Sequence, residues 1–190
     1  MNIRQTIITI TTLLLLPVGS VWAQEGTTWF GDTADGQWLA GIKYGQMTND
    51  DPGFENADAW TLVLGYQFAR TVGVDGSSSV ELEFTDTLEA SRNTGISGDN
   101  WDARAYGLYL SYRTPGTIYF KGRVGILWSD IRTESNNIKL TSESEADVAL
   151  GVGLGILLGA TQNINLELDY TQSGGDHDLS LFNVGGSYRF

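Results

Sequence analysis

The chain has 190 residues, and 23 acidic side chains against 11 basic ones give it a formal net charge of −12. That acidity argues against nucleic acid as a partner, because binding to phosphates requires a basic surface. Cysteine is absent, so an exported chain of this length would draw its stability from a large core or from a membrane rather than from disulfides.

The first residues read as a leader. Arg4 supplies a positive charge, Ile7 to Leu16 form a short apolar run, and Pro17 and Gly19 break it. Val21-Trp22-Ala23 then offers the small residues a signal peptidase accepts. The run is shorter than the about 20 apolar residues a spanning helix needs. Residues 1–23 are therefore expected to be a signal peptide, and 24–190 a single domain beginning at Gln24. Loss of Arg4 makes the mature chain one unit more acidic still.

Beyond the leader, glycine is frequent (24) and proline rare (3), and apolar residues recur with period two. Eight segments show the roughly ten-residue alternation of a membrane-spanning strand. In chain order they are Gln37–Met47, Ala59–Thr71, Ser78–Thr87, Trp101–Thr114, Thr117–Ile131, Ala146–Leu158, Asn163–Thr171 and Leu179–Phe190. Short links at Val72–Ser77, Thr114–Gly116 and Gly159–Gln162 alternate with longer polar loops at Thr48–Asp58, Asp86–Asn100, Arg132–Glu145 and Gln172–Asp178. The expected fold is an all-β, eight-stranded antiparallel up-and-down transmembrane β-barrel, with both termini on the side of the short turns.

Two different faces emerge from the alternation. One carries bulky apolar residues: Trp60 to Phe68, Tyr106 to Tyr112, Ile118 to Trp128, Val148 to Leu158, Ile164 to Tyr170 and Phe182 to Phe190, each at every second position. The other holds small or polar residues, among them Gln67, Arg113, Asn165 and Asn183. An eight-stranded barrel has an interior just wide enough for side chains to fill, too narrow for the bulky set. The apolar face is therefore expected outside, against lipid. Inside, Glu81, Glu83, Glu167 and Asp169 are expected to pair with Lys43, Lys121, Arg123 and Arg189 as a charge-filled plug. Trp60, Phe68, Tyr112, Phe120 and Trp128 stand near strand ends, as aromatics at the two membrane interfaces do. Gly151, Gly153 and Gly155 leave the inward face of the sixth segment without side chains, to accommodate neighbours such as Tyr109, Tyr119 and Leu127.

The chain ends in Phe190, preceded at alternate positions by Tyr188, Val184 and Phe182, with Gly186 interrupting the series. This pattern resembles the C-terminal assembly signal of outer-membrane barrels. With the leader and the eight segments, the whole mature chain resembles the small outer-membrane β-barrel family, which includes the transmembrane domain of outer-membrane protein A, outer-membrane protein X and the opacity-type porin-like adhesins. The resemblance implies integral residence in a Gram-negative outer membrane, with periplasmic termini and the barrel-assembly machinery as a partner in biogenesis. It further implies contact with outer-membrane lipid and lipopolysaccharide, and surface partners met through the loops.

Catalysis is not expected. The single histidine, His177, lies in the last long loop between Asp176 and Asp178, with Ser180 nearby. In the lipid A deacylase family, also eight-stranded barrels, histidine and serine are two apart; His177 and Ser180 are three apart and would face opposite sides of a strand. No cofactor or metal site is expected. The acidic loops, which carry Asp50, Asp51, Glu143, Glu145, Asp147, Asp176 and Asp178, read as a solvated surface, with bridging of divalent ions to lipopolysaccharide as the alternative. The expected role is a structural or surface-interaction barrel serving adhesion or membrane integrity. A narrow channel for ions or small solutes and a soluble lipocalin-like ligand carrier are the competing functions. The carrier would have to expose its aromatic and leucine-rich face to water.

Overall fold

The computed structural model describes residues 36–49, 55–68, 75–88, 91–93, 99–135, 138–174 and 179–190. The expected signal peptide and His177 lie outside them. Nine strands form in chain order: β1 (Gln37–Asn49), β2 (Ala57–Gln67), β3 (Ser77–Thr87), β4 (Ser91–Asn93), β5 (Asp99–Arg113), β6 (Ile118–Ser135), β7 (Ile138–Leu158), β8 (Ile164–Gly174) and β9 (Leu179–Arg189). Eight of them are staves of a closed barrel, each antiparallel to its sequence neighbours, with β3 passing directly to β5. The short β4 is a side branch paired with the start of β5.

Closure joins the first stave to the last, from Leu39↔Arg189 to Asn49↔Leu179. Beyond those strands, Phe190 N–H donates to Trp38 O at 2.9 Å and Trp38 N–H to Phe190 O at 3.0 Å. Both edges of each of the eight staves are thus paired, as strands that cross lipid require. At the turn end, Gly116 (φ 117°) and Gly159 (φ 86°) take left-handed backbone that other residues enter only under strain.

The sidedness is that of an inverted protein. Ile42, Leu64, Leu82, Phe120, Val124, Leu150, Val152 and Leu166 are exposed on the outer wall, while Lys43, Glu81, Arg123 and Asp169 are buried inside. Phe182, Val184, Tyr188 and Phe190 all lie on the outer wall. At its loop end Trp60 and Phe84 meet edge to face at 5.4 Å, Phe84 and Tyr106 lie 5.2 Å apart, and Trp128 is in register with Tyr106. At the turn end Trp38 and Tyr66 meet at 5.3 Å, Tyr112 is half-buried with its hydroxyl donating to Asp75 O at 2.6 Å, and Phe120 is exposed.

Two expectations are corrected. β2 ends at Gln67, and Phe68 follows it, buried with its ring edge-on to that of Tyr66. Its backbone N–H donates to Ser78 O, which ties it to the start of β3. The second stave therefore stops short of Thr71. The span 132–145 is not simply a loop, because β6 runs on to Ser135 and β7 starts at Ile138. A register shift at Thr133/Glu134 marks where this long hairpin leaves the regular wall. The sequence of this span is mostly polar, with only Ile138 and Leu140 apolar, so the long apolar alternation stops while β-pairing continues.

The charged lumen as candidate functional site

Inward positions at the loop end and in the middle of the barrel form two layers. The loop end is filled by an apolar cluster containing Met47, Trp101, Leu127, Ile131, Leu179 and Leu181. Trp101 shares that cluster with Ala57, Ala59, Ala103 and Ala105, whose small side chains leave room for a large one. Its indole N–H donates to the Glu55 carbonyl at 2.9 Å, satisfying the one polar atom such a burial strands.

The middle layer is ionic. Lys43 on β1 lies 2.8 Å from Glu83 and 2.6 Å from Asp169, with Glu167 at 4.0 Å. Lys121 on β6 reaches Glu81 at 2.7 Å and Glu167 at 3.1 Å. Arg113 on β5 reaches the same two carboxylates, at 3.4 Å and 2.9 Å. Arg123 on β6 meets Glu83 at 2.7 Å. These contacts link β1 to β3 and β8, β3 to β6, and β5 to β8, strands that are not neighbours in the wall. They are struts across the lumen.

Neutral groups complete the coordination. Tyr119 donates its hydroxyl to Glu167 at 2.6 Å and Ser79 donates to Glu81 at 2.7 Å. Arg123 donates to the Thr171 hydroxyl through both Nε and Nη2. The guanidinium of Arg123 sits over the Tyr109 ring at 4.5 Å, and that of Arg113 over the Tyr119 ring at 5.3 Å. Four buried cations and four buried carboxylates thus pair with one another. Charges so placed are held with little cost only while every partner is present.

Seven of the eight charges expected from sequence meet here: Lys43, Glu81, Glu83, Lys121, Arg123, Glu167 and Asp169. Arg189 does not join them, and Arg113 takes its place as the fourth cation. Arg189 stands at the turn end, half-buried, donating to Gln67 Oε1 at 3.5 Å and to the Gln162 carbonyl. Sequence parity puts both arginines inside but says nothing of depth. Both end a strand, β5 and β9, but Arg113 is in register with Lys121 and reaches Glu81 and Glu167, whereas no carboxylate among the described residues lies within ion-pair distance of Arg189.

The glycines of β7 serve packing in a way only partly foreseen. A Cβ at Gly155 would fall 2.3 Å from the Tyr119 ring, one at Gly151 2.7 Å from Arg123 Nε, and one at Gly153 2.5 Å from Asp169 Oδ1. They make room chiefly for the charged layer. Tyr109 instead packs over Gly107 and Gly125, where a Cβ would come within 2.3 Å and 2.6 Å of its ring. Ser180, the nearest hydroxyl to His177 in sequence, shares a 3.1 Å hydrogen bond with Tyr170, which is exposed on the outer wall.

A lumen of this composition excludes the soluble carrier, which requires an apolar interior and a polar outer wall. Comparison with known proteins agrees. The family model described as outer membrane protein β-barrel domain matches residues 11–190. No curated protein matches the chain. Among solved structures it is similar to Ail, the attachment invasion locus protein of Yersinia pestis, at 18% identity over 82% of this chain and 97% of that one, with a TM-score of 0.56. It is similar also to the N-terminal β-barrel domain of Pseudomonas aeruginosa OprF, at 12% identity over 82% and 99% with a TM-score of 0.57. Neisserial surface protein A matches at 12% identity over 82% and 97%, with a TM-score of 0.52. At these identities the likeness is one of fold. The apolar outer wall, the ion-paired lumen and the family match together place the protein in the outer membrane as an integral barrel, a member of the outer membrane protein β-barrel domain family.

Proposed function

We propose that this barrel is a non-conducting scaffold that holds its polar loops at the cell surface, where they mediate attachment or support membrane integrity, and that it is not an enzyme. The observation that carries this reading is the filled lumen: cross-strand ion pairs in the middle and an apolar cap at the loop end. Such an interior rigidifies a support and leaves specificity to the loops. Residues 1–23 act as a cleaved leader in this reading, the turn end faces the periplasm, and the outward Phe182, Val184, Tyr188 and Phe190 serve as the assembly signal. The outer-wall aromatics Trp60, Tyr112, Phe120 and Trp128 anchor the barrel at the two membrane interfaces.

Ail is named for attachment, and it has been crystallised with the heparin analogue sucrose octasulfate. In this chain Asp50, Asp51, Asp176 and Asp178 make the loops acidic. A polyanion would be repelled, and a basic or neutral surface partner fits better. Attachment of expressing cells to immobilised basic matrix protein and to immobilised heparin tests this. Binding to the first and not the second, lost when the four aspartates become asparagines, is the expected result. Attachment unchanged by those substitutions would contradict it.

A further inference from the structure

The turn end of the lumen opens into a cavity of about 240 Å³ whose walls include Gln67, Ser77, Arg113, Tyr119, Leu157 and Arg189. Its charge differs from that of the layer above. There, four cations face four carboxylates; here, among the described residues, no carboxylate lies within ion-pair distance of Arg189. Arg113 and Arg189 instead each direct Nη1 at one neutral oxygen, Gln67 Oε1, and each stands 3.5 Å from it. Arg113 also pairs with Glu81 and Glu167, whereas Arg189 has only that distant amide oxygen and the Gln162 carbonyl, neutral acceptors that compensate its charge poorly.

Two further donors are unused. The Nε atoms of Arg113 and Arg189 are buried without a hydrogen-bond partner among the described residues, and Arg113 as a whole is only 4% exposed. Its other contacts, to Glu81 and Glu167, hold the guanidinium in place without occupying Nε. Two guanidiniums that line one small cavity, with no carboxylate within ion-pair distance of Arg189 among the described residues, suit the oxygens of a carboxylate or phosphate. The volume admits one such group and a short stem, not a polysaccharide or a protein surface.

We propose that this cavity is an oxyanion site that takes a single carboxylate or phosphate group between Arg113 and Arg189. On the orientation given under the proposed function it opens to the periplasm. The group would then come from a soluble anion of that compartment or from the headgroup phosphate of an inner-leaflet lipid. Only this choice of source rests on the orientation; the site itself rests on the two arginines and Gln67.

The test uses the mature barrel folded in maltoside micelles, which carry neither phosphate nor carboxylate. The Nε–Hε signals of Arg113 and Arg189 are followed by NMR while inorganic phosphate is added at constant ionic strength. Saturable shifts of both signals are expected, with a midpoint on the order of millimolar, weakened at least about tenfold in Arg189→Gln. A second variant, Gln67→Glu, supplies its own carboxylate and should shift the Arg189 signal without phosphate and abolish the titration. Shifts already present in phosphatidylglycerol nanodiscs before phosphate is added would assign a lipid headgroup; shifts appearing only on addition of phosphate there would assign a free anion. Linear, non-saturating shifts, or titrations unchanged in both variants, would overturn the proposal.

Discussion

The two halves of the lumen are stabilised by different physics. At the loop end, Met47, Trp101, Leu127, Leu179 and Leu181 fill space beside alanines, and each contributes by the volume it occupies. In the middle, Lys43, Arg113, Lys121 and Arg123 are tolerated only because four carboxylates stand within ion-pair distance of them. Damage to the cap should therefore be graded with the atoms removed. Damage to the ionic layer should be abrupt for one partner and largely reversible when both partners leave together. The difference also divides labour: the cap seals the lumen toward the long loops, and the struts fix which strands face one another.

The largest expected effect breaks a strut. Lys43→Met strips Asp169 of its close cation and leaves Glu83 with Arg123 alone. A loss of about 3–5 kcal/mol is expected, read from urea unfolding of the barrel in lipid vesicles by tryptophan fluorescence. Adding Asp169→Leu to that variant should recover stability to within about 1 kcal/mol of the parent, since an apolar pair of similar volume substitutes for a buried ion pair at little cost. If the double variant is no better than the single one, the layer is not organised by pairing.

In the cap, Leu181→Ala should cost about 2–3 kcal/mol in the same unfolding measurement, with no second-site charge substitution able to restore it. Rescue by a change in the ionic layer would erase the distinction between the two halves. The smallest effect belongs to the pair outside both. Arg104 reaches Asp86 at 3.0 Å on the outer wall, with side chains 40% and 25% exposed. Arg104→Ala should change stability by about 0.5 kcal/mol or less, and a loss like that of Lys43→Met would show that burial is not what makes the struts costly to break.

Much of this was legible in the chain because a barrel wall imposes period two on every stave. Parity alone puts Leu64, Leu150 and Leu168 outside and Glu81, Lys121 and Asp169 inside, and all six lie where parity puts them. Depth was not legible. It depends on register between strands, so Arg189 was grouped with the struts and Arg113 left out of them, although both end a strand and only Arg113 is in register with Lys121. The cap was missed for a related reason: Trp101 has inward parity, but nothing local shows that its companions Ala57, Ala59, Met47 and Leu181 come together, since they sit on three other strands. The hairpin of β6 and β7 escaped notice because the sequence from Arg132 to Glu145 is mostly polar, with Ile138 and Leu140 its only apolar residues.

The central claim is that the lumen is closed, and it is tested most directly by recording current across a planar bilayer containing the purified mature barrel. The layered interior predicts no steady unitary conductance at moderate voltage. Stable, reproducible unitary steps from the intact protein would contradict it and make the barrel a narrow channel.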